Sequence, residues 1–521
     1  MAVSTFTISV ITVIYLAMIM ILGYIGYKKT KVAEDYLVAG RKSHPFVIAL
    51  SYGATFISTS AIVGFGGQAA NLGMGLIWLT VFNIGVGILL AFVIFGKRTR
   101  EIGKRLSAIT FPDLMGKIYS SAFIQYVSGL VIIVGMPLYT AAILIGGARF
   151  IETTLSVQYN TALIGFAVIV AIYVIFGGLI AVMYTDALQG SIMFVGMTIL
   201  LVATYLYLGG VNAANSALTA MSDLVPEALA AGGMTGWTSM PELGSPIWFT
   251  LVTTLVLGVG IGVLAQPQLV VRFMTAKDGR SLNRAVLVGG PFILMMTGVA
   301  FTVGALTNVY FYNAEGMIAI QAAGGNIDSI IPVFINHAMP EWFVVIFMLT
   351  LLAAAMSTLS SLFHTMGTAL VCDVWGRGRE CALSLRANQV GLVIMIIVSV
   401  IVAYLMPGSI IAIATTMFMG LCASAFLPIF AVAVYCKKPD PLAAQASLVV
   451  GAVAWFVYAL FINTRYSNVF GLSQAVLGTP SVLGYPWNAI DPLIIALPLS
   501  ALVVLILQMK RGRGMLKPQE S

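Results

Sequence analysis

Thirteen apolar stretches divide this 521-residue chain, each near the roughly 20 residues that a helix needs to cross a hydrocarbon core about 30 Å thick. They lie near 6–27, 46–71, 74–96, 121–148, 159–182, 187–209, 246–271, 285–309, 342–371, 388–406, 409–435, 441–463 and 489–509. With 60% hydrophobic and only 8% charged residues and a mean hydropathy of +1.02, the chain has too little polar surface for water and belongs in a lipid bilayer. An odd number of spans puts the termini on opposite sides. Threading from an outer N-terminus gathers Lys28, Lys29, Lys31, Arg41 and Lys42, the KRTREIGKR run, Lys117, Arg272, Lys277, Arg280, Arg284, Arg377, Arg379, Arg386, Lys437, Lys438 and the basic tail on the cytoplasmic side. Of the 26 lysines and arginines only Arg149 and Arg465 fall outside, where the loops carry acids such as Asp223, Glu227, Glu242, Glu315, Asp328 and Glu341. One missed span would invert everything after it, so agreement across many loops predicts a multi-pass plasma-membrane protein with a cytoplasmic C-terminus.

The net charge of +8 is then the positive-inside bias and not a nucleic-acid surface, so no nucleic-acid partner is expected. The first span is followed, not preceded, by its positive charges, which argues against a cleaved signal. Four cysteines in mostly apolar settings are too few to frame a fold with disulfides, and no His/Cys cluster has metal spacing. No span carries a nucleophile with a histidine base, which argues against an enzyme.

Ionisable and polar residues inside spans are the functional candidates. Asp186, in GGLIAVMYTDALQGSIMF, follows Gly177 and Gly178, which end one helix; its carboxylate lies near the cytoplasmic mouth of the next, and capping by Thr185 or Asp186 is the alternative reading. Arg149 reads as an interfacial anchor and His364 as a polar contact between helices. In LLAAAMSTLSSLFHT, helical spacing puts Ala354, Ser357, Thr358 and Ser361 on one face with Ser360 beside it. Such a row is either a tight packing seam or a set of hard oxygens for a cation such as sodium, completed by carbonyls freed from a broken helix. Two spans look broken. The second reads SYGATFISTSAIVGFGGQAANLGMG, with Gly53, Gly64, Gly66 and Gly67; the seventh reads LVLGVGIGVLAQPQLVVRFM, with Gly258, Gly260, Gly262 and Pro267. Helix breakers at lipid depth are tolerated where they line a cavity, and a matched pair opening two successive five-span blocks is the mark of a transporter with inverted repeats.

The segments EDYLVAGRK, GGLIAVMYTDALQG, QPQLVVRFMTA and AAAMSTLSSLFHTMGTALVCDVW make the chain, over roughly residues 34–440, resemble the sodium/solute symporters, a family that includes bacterial sodium/proline, sodium/pantothenate and sodium/galactose transporters. The resemblance implies an all-α polytopic membrane protein with a LeuT-like core of five plus five inverted helices. Its parts are an N-terminal helix and link at 1–45, a first repeat at 46–209, an outer loop at 210–245, a second repeat at 246–436, and two further helices with the tail at 437–521. It also implies a sodium site formed by the carbonyls of Ala54, Ile57 and Ala354 and the hydroxyls of Ser357 and Thr358. A second ion held by Asp186, Ser357, Ser360 and Ser361 follows the pattern of some members. Sodium is the coupling ion and no cofactor is implied.

The substrate cavity is expected between the broken helices, with Thr55, Ser58, Thr59, Ser60 and Gln266 as polar contacts or, alternatively, as caps of the unwound backbone. Val259 and Val263, in GVGIGVLAQPQ, stand where proline transporters of the family carry Trp and Tyr, which points away from proline. Phe56 replaces a polar residue and points away from a sugar. The expected activity is sodium-coupled import of a small carboxylate or amino acid by alternating access. Proton coupling through Asp186, a channel, and a solute sensor on the same fold are the alternatives.

Overall fold

The computed structural model describes residues 5–29, 38–41, 43–176, 179–376 and 385–511, and within them the chain is helical throughout apart from turns, loops and one isolated bridge between Ser43 and Ala276. The expected break at Gly177 and Gly178, the cations Lys31, Lys42, Arg377 and Arg379, and Cys381 lie outside the described residues. The helices of the apolar segments, in chain order, are α1 (Thr5–Lys29), α2 (Pro45–Phe56), α3 (Ser60–Leu72), α4 (Met74–Arg105), α5 (Ala122–Leu155), α6 (Tyr159–Phe176), α7 (Leu179–Tyr207), α8 (Pro246–Ala265), α9 (Pro267–Met274), α10 (Gly279–Glu315), α11 (Glu341–Trp375), α12 (Arg386–Leu405), α13 (Ile411–Tyr435), α14 (Pro441–Phe461) and α15 (Leu493–Lys510). Twelve of the thirteen apolar stretches fall on one of these helices or on a broken pair, whereas the stretch at 159–182 covers α6 and runs on into the first residues of α7. Ten are long and apolar enough to span by themselves, α2 and α3 form an eleventh as a bent pair, and α1 and α6 contain the shorter apolar runs Val10–Gly26 and Tyr159–Ile172. Apolar side chains such as Val13, Ile14, Val195, Val202, Ile397 and Ile401 cover the outside, as suits a lipid-facing surface.

Both expected interruptions are present, and both are made by residues other than the glycines. α2 and α3 meet at an angle of 53°. At the joint Ile57 is extended (φ −90°, ψ 108°), its amide still bonded to the Gly53 carbonyl at 2.8 Å. In the seventh span Gly258–Gly262 is helical, and the chain breaks at Gln266 (φ −71°, ψ 121°), because Pro267 disfavours a helical residue before it and then starts α9. The glycines serve close packing instead. A Cβ on Gly260 comes within 2.7 Å of the Phe82 side chain, and one on Gly262 within 2.6 Å of the Met419 carbonyl oxygen of α13. α7 also departs from expectation. It begins at Leu179, so Asp186 and Thr185 lie inside the helix and cap nothing; the Thr185 hydroxyl bonds back to the carbonyls of Ala181 and Val182 at 3.1 and 2.9 Å.

The cation-bearing loops gather at one end. Arg41 donates to the carbonyls of Ala108 (2.7 Å) and Met274 (3.3 Å), Arg100 to that of Ala276 (2.9 Å), and Arg98 lies over the Tyr435 ring at 4.2 Å. Cys372, in the last turns of α11, is disulfide-bonded, whereas the buried Cys422 is a thiol, so a fold not framed by disulfides still contains one.

At the opposite end the 210–245 loop is folded, with helices Val211–Ala220 and Glu227–Ala231. Its buried Trp237 donates from the indole to the Ala70 carbonyl at 2.8 Å and accepts from the Met74 amide at 2.6 Å, clamping the end of α3 at Gly73, whose φ of +83° only glycine adopts readily. Asn308 of α10 donates to the same Ala70 carbonyl at 2.7 Å. Trp237→Ala is therefore expected to cost about 3 to 5 kcal/mol and to open this loop to protease, since it removes a fully buried ring and the clamp together. A melting temperature and a digestion pattern like those of the parent chain would refute that role.

The segment between the two helices after the core also has a physical task. Tyr466 donates to Asp491 at 2.6 Å and lies 3.0 Å from the Thr416 hydroxyl of α13, while Arg465 donates to Thr250 of α8 at 2.8 Å. These contacts brace the N-terminal halves of α8 and α13.

Candidate functional site

Because α2 stops at Phe56, its last carbonyls have no helical amide ahead of them. The Ala54 carbonyl is taken instead by α11, with Ser357 Oγ donating at 2.8 Å and Thr358 Oγ1 at 3.2 Å. Each hydroxyl is also 3.2 Å from the Ala354 carbonyl of its own helix. Four of the five groups expected around sodium therefore meet at one point, all in residues fully withdrawn from solvent. The fifth, Ile57, stands at the break itself, where ψ of 108° turns its carbonyl out of the helical ladder.

The Asp186 set is arranged differently from expectation. Asp186 Oδ2 accepts from Ser51 Oγ at 2.6 Å, lies 3.5 Å from Thr55 Oγ1, and receives Arg272 Nη2 at 3.2 Å. The same nitrogen donates to Thr55 Oγ1 at 3.2 Å and, very closely, to Ser361 Oγ. Ser360 bonds to the Ser357 carbonyl at 2.9 Å and takes no part, and Ser357 is engaged by Ala54. Asp186, Ser357, Ser360 and Ser361 thus do not converge as one set. Arg272, counted from sequence among the cytoplasmic cations, is 2% exposed: it lies in the last turn of α9, which turns it inward to Asp186, itself 0% exposed. Arg149 lies over the Tyr159 ring at 4.2 Å and pairs with Glu152 at 2.9 Å.

A small cavity lies beside the break between α2 and α3. Ser58, Ser60 and Val259 line it as expected, joined by Asn83, Tyr139, Thr297 and Thr415 and by the rings of Phe56, Phe65 and Phe301. The other expected lining residues are engaged elsewhere. Thr55 belongs to the Arg272 network, Thr59 donates to the Ile143 carbonyl at 3.0 Å, Gln266 accepts a close hydrogen bond from Gln268, and Val263 is buried against the fourth helix. Tyr139 is placed by its hydroxyl, 3.4 Å from Ser58 Oγ, and by stacking on Phe418. The Asn83 Oδ1 atom is buried with no partner among the described residues, an acceptor facing the cavity. Among the described lining residues none is charged. Asn83, Tyr139 and Arg272 were missed from sequence; the signal available for Asn83 was a lone amide in the apolar run VFNIGVG.

A helical membrane bundle with two interrupted spans, a carbonyl and hydroxyl cluster at one interruption and a small cavity beside it is a secondary transporter. Residues 36–451 match the sodium:solute symporter family, and the chain belongs to that family. The sodium/pantothenate symporter of Haemophilus influenzae is 28% identical over 483 residues, which cover 89% of this chain and 94% of the relative. Sodium/proline symporter 2 of Staphylococcus saprophyticus is 26% identical over 491 residues, covering 90% and 89%. A solved structure, the substrate-bound outward-open state of a Na+-coupled sialic acid symporter, aligns with a TM-score of 0.72 at 16% identity over 97% of both chains, which establishes the LeuT-like fold. The protein is accordingly a multi-pass membrane transporter, not an enzyme, that moves a small organic solute by sodium-coupled symport.

Proposed function

We propose that one sodium ion binds where α2 breaks, held by the carbonyls of Ala54, Ile57 and Ala354 and the hydroxyls of Ser357 and Thr358. The solute binds in the neighbouring cavity against Ser58, Ser60 and Val259. The observation that carries this reading is the meeting of both α11 hydroxyls with the Ala54 carbonyl at 2.8 and 3.2 Å. An ion there ties the broken helix to α11 and favours the arrangement that receives solute. Rocking of the repeat at 46–209 against that at 246–436 then releases both on the other side. The basic end is cytoplasmic and the N-terminus lies outside, in the plasma membrane, so an inside-negative potential adds about 2.3 kcal/mol per charge per 100 mV to import.

Small carboxylates and amino acids suit the cavity better than sugars do. Its walls are aromatic and aliphatic, and its polar groups are a handful of hydroxyls and the Asn83 amide. A polyhydroxylated ligand needs a denser set of side-chain donors and acceptors. The substrates named for the two relatives, pantothenate and proline, each carry a carboxylate.

Uptake of labelled carboxylates, amino acids and sugars into proteoliposomes, driven in turn by a sodium and by a proton gradient, tests the reading. We expect sodium-driven accumulation of a carboxylate-bearing solute and none of hexoses. Selective hexose uptake would overturn the substrate class, and uptake driven by protons alone would overturn the ion site.

A further inference from the structure

We infer that the Arg272 guanidinium is this chain's built-in second cation: it stands among Asp186, Thr55 and Ser361 where an ion would otherwise be held, and so limits the transporter to a single bound sodium. The inference rests on the sodium site proposed above for the first ion.

The geometry is that of a cation site with a tethered occupant. Oxygens from three different helices, Thr55 of α2, Asp186 of α7 and Ser361 of α11, converge on one nitrogen, Arg272 Nη2. The Thr55 and Ser361 hydroxyls are 3.0 Å from one another, and Ser51 adds a third hydroxyl, donated to the carboxylate at 2.6 Å. A carboxylate and clustered hydroxyls are hard oxygen ligands. Asp186 Oδ1 has no partner among the described residues, so the carboxylate keeps coordinating capacity. A buried carboxylate requires a positive partner, and here Arg272 supplies it permanently, because a guanidinium stays protonated. The place is also reachable. A second small cavity, lined by Gln268, Arg272, Ser361, His364 and Thr368, adjoins the pair and extends to Thr110. An ion entering it meets the guanidinium before the carboxylate.

A purely structural clamp has the same burial and the same hydrogen bonds, so the test must read ions. We expect equilibrium binding of radioactive sodium to the purified full chain to give one ion per chain for the wild type, one for Arg272→Lys and two for Arg272→Gln. We also expect Arg272→Gln to be stabilised against heat by sodium chloride and not by potassium chloride, with Arg272→Gln/Asp186→Asn losing both the extra ion and that stabilisation. The difference between the Arg272→Gln and wild-type counts tests this inference, whereas the absolute wild-type count tests the site at Ala54, Ser357 and Thr358. Equal counts overturn the inference while leaving the first site standing. A wild type that binds two ions overturns it even if Arg272→Gln cannot be purified folded.

Discussion

Replacing Ser357 and Thr358 together by alanine is expected to raise the sodium concentration for half-maximal uptake by about two to four orders of magnitude, which at ordinary sodium levels abolishes transport. A hydrogen bond or ligand contact to a charged group contributes about 1.5 to 3 kcal/mol, and about 1.4 kcal/mol is tenfold in an equilibrium. Loss of two such oxygens therefore reaches that range. The same change leaves the Ala54 carbonyl, which both hydroxyls approach, without its partners in a buried setting, at a cost of about 1 to 3 kcal/mol in stability. The packing-seam reading predicts that second effect without the first. Two further variants separate the readings. Thr358→Ser keeps the oxygen and is expected to keep sodium affinity within a few-fold. Thr358→Val keeps the shape, lacks the oxygen and is expected to behave like alanine towards sodium. Sodium titrations of uptake, together with sodium binding to the same purified variants, check both. A double variant that melts lower but titrates with sodium like the wild type would return the hydroxyl row to packing.

The bundle and both breaks were legible in the sequence because lipid allows few alternatives. A span must be apolar and helical, and an interruption must face protein or a cavity. What the sequence misreported was the agent of each break. Gly258, Gly260 and Gly262 look like a break but permit approach to Phe82 and Met419, and a helix tolerates them when that contact compensates for lost propensity. Asp186 was legible as important but not as mid-helical. A carboxylate at the edge of an apolar run reads as a helix end, and what makes it tolerable inside one is supplied by Ser51 and Arg272, 135 and 86 residues away in the chain. Arg272 was illegible for a related reason: counting cations by loop cannot distinguish an arginine in water from one that the last turn of a half-helix directs inward. The hydroxyls from Ser357 to Ser361 were legible as a face by their spacing. Their division, with Ser357 and Thr358 going to Ala54 and Ser361 to Arg272, depends on two helices that the spacing does not mention.

Asp186→Ala is expected to lower stability by about 3 to 5 kcal/mol, because it takes the carboxylate away from a guanidinium that is 2% exposed. That is a large share of the roughly 5 to 15 kcal/mol that separates folded from unfolded domains, so yield and melting temperature should both collapse. Asp186→Ala/Arg272→Leu is expected to recover much of the loss, since removing both charges leaves neither unpaired. The two single losses are not mirror images. A carboxylate left by Arg272→Gln can recruit sodium, whereas the guanidinium left by Asp186→Ala can recruit only chloride, which sodium and potassium chloride supply alike, so its melting temperature should not distinguish the two salts. Melting curves of the two single and one double variant in sodium and potassium chloride measure the coupling directly. Single changes that simply add in the double variant, within about 0.5 kcal/mol, would mean that the two groups do not act as a pair. Asp186→Asn adds a test of the rival coupling scheme. It keeps the shape of the side chain but cannot shuttle a proton as a carboxylate does, so sodium-driven uptake that survives it excludes Asp186 as a proton carrier, and uptake lost with sodium binding intact would revive that role.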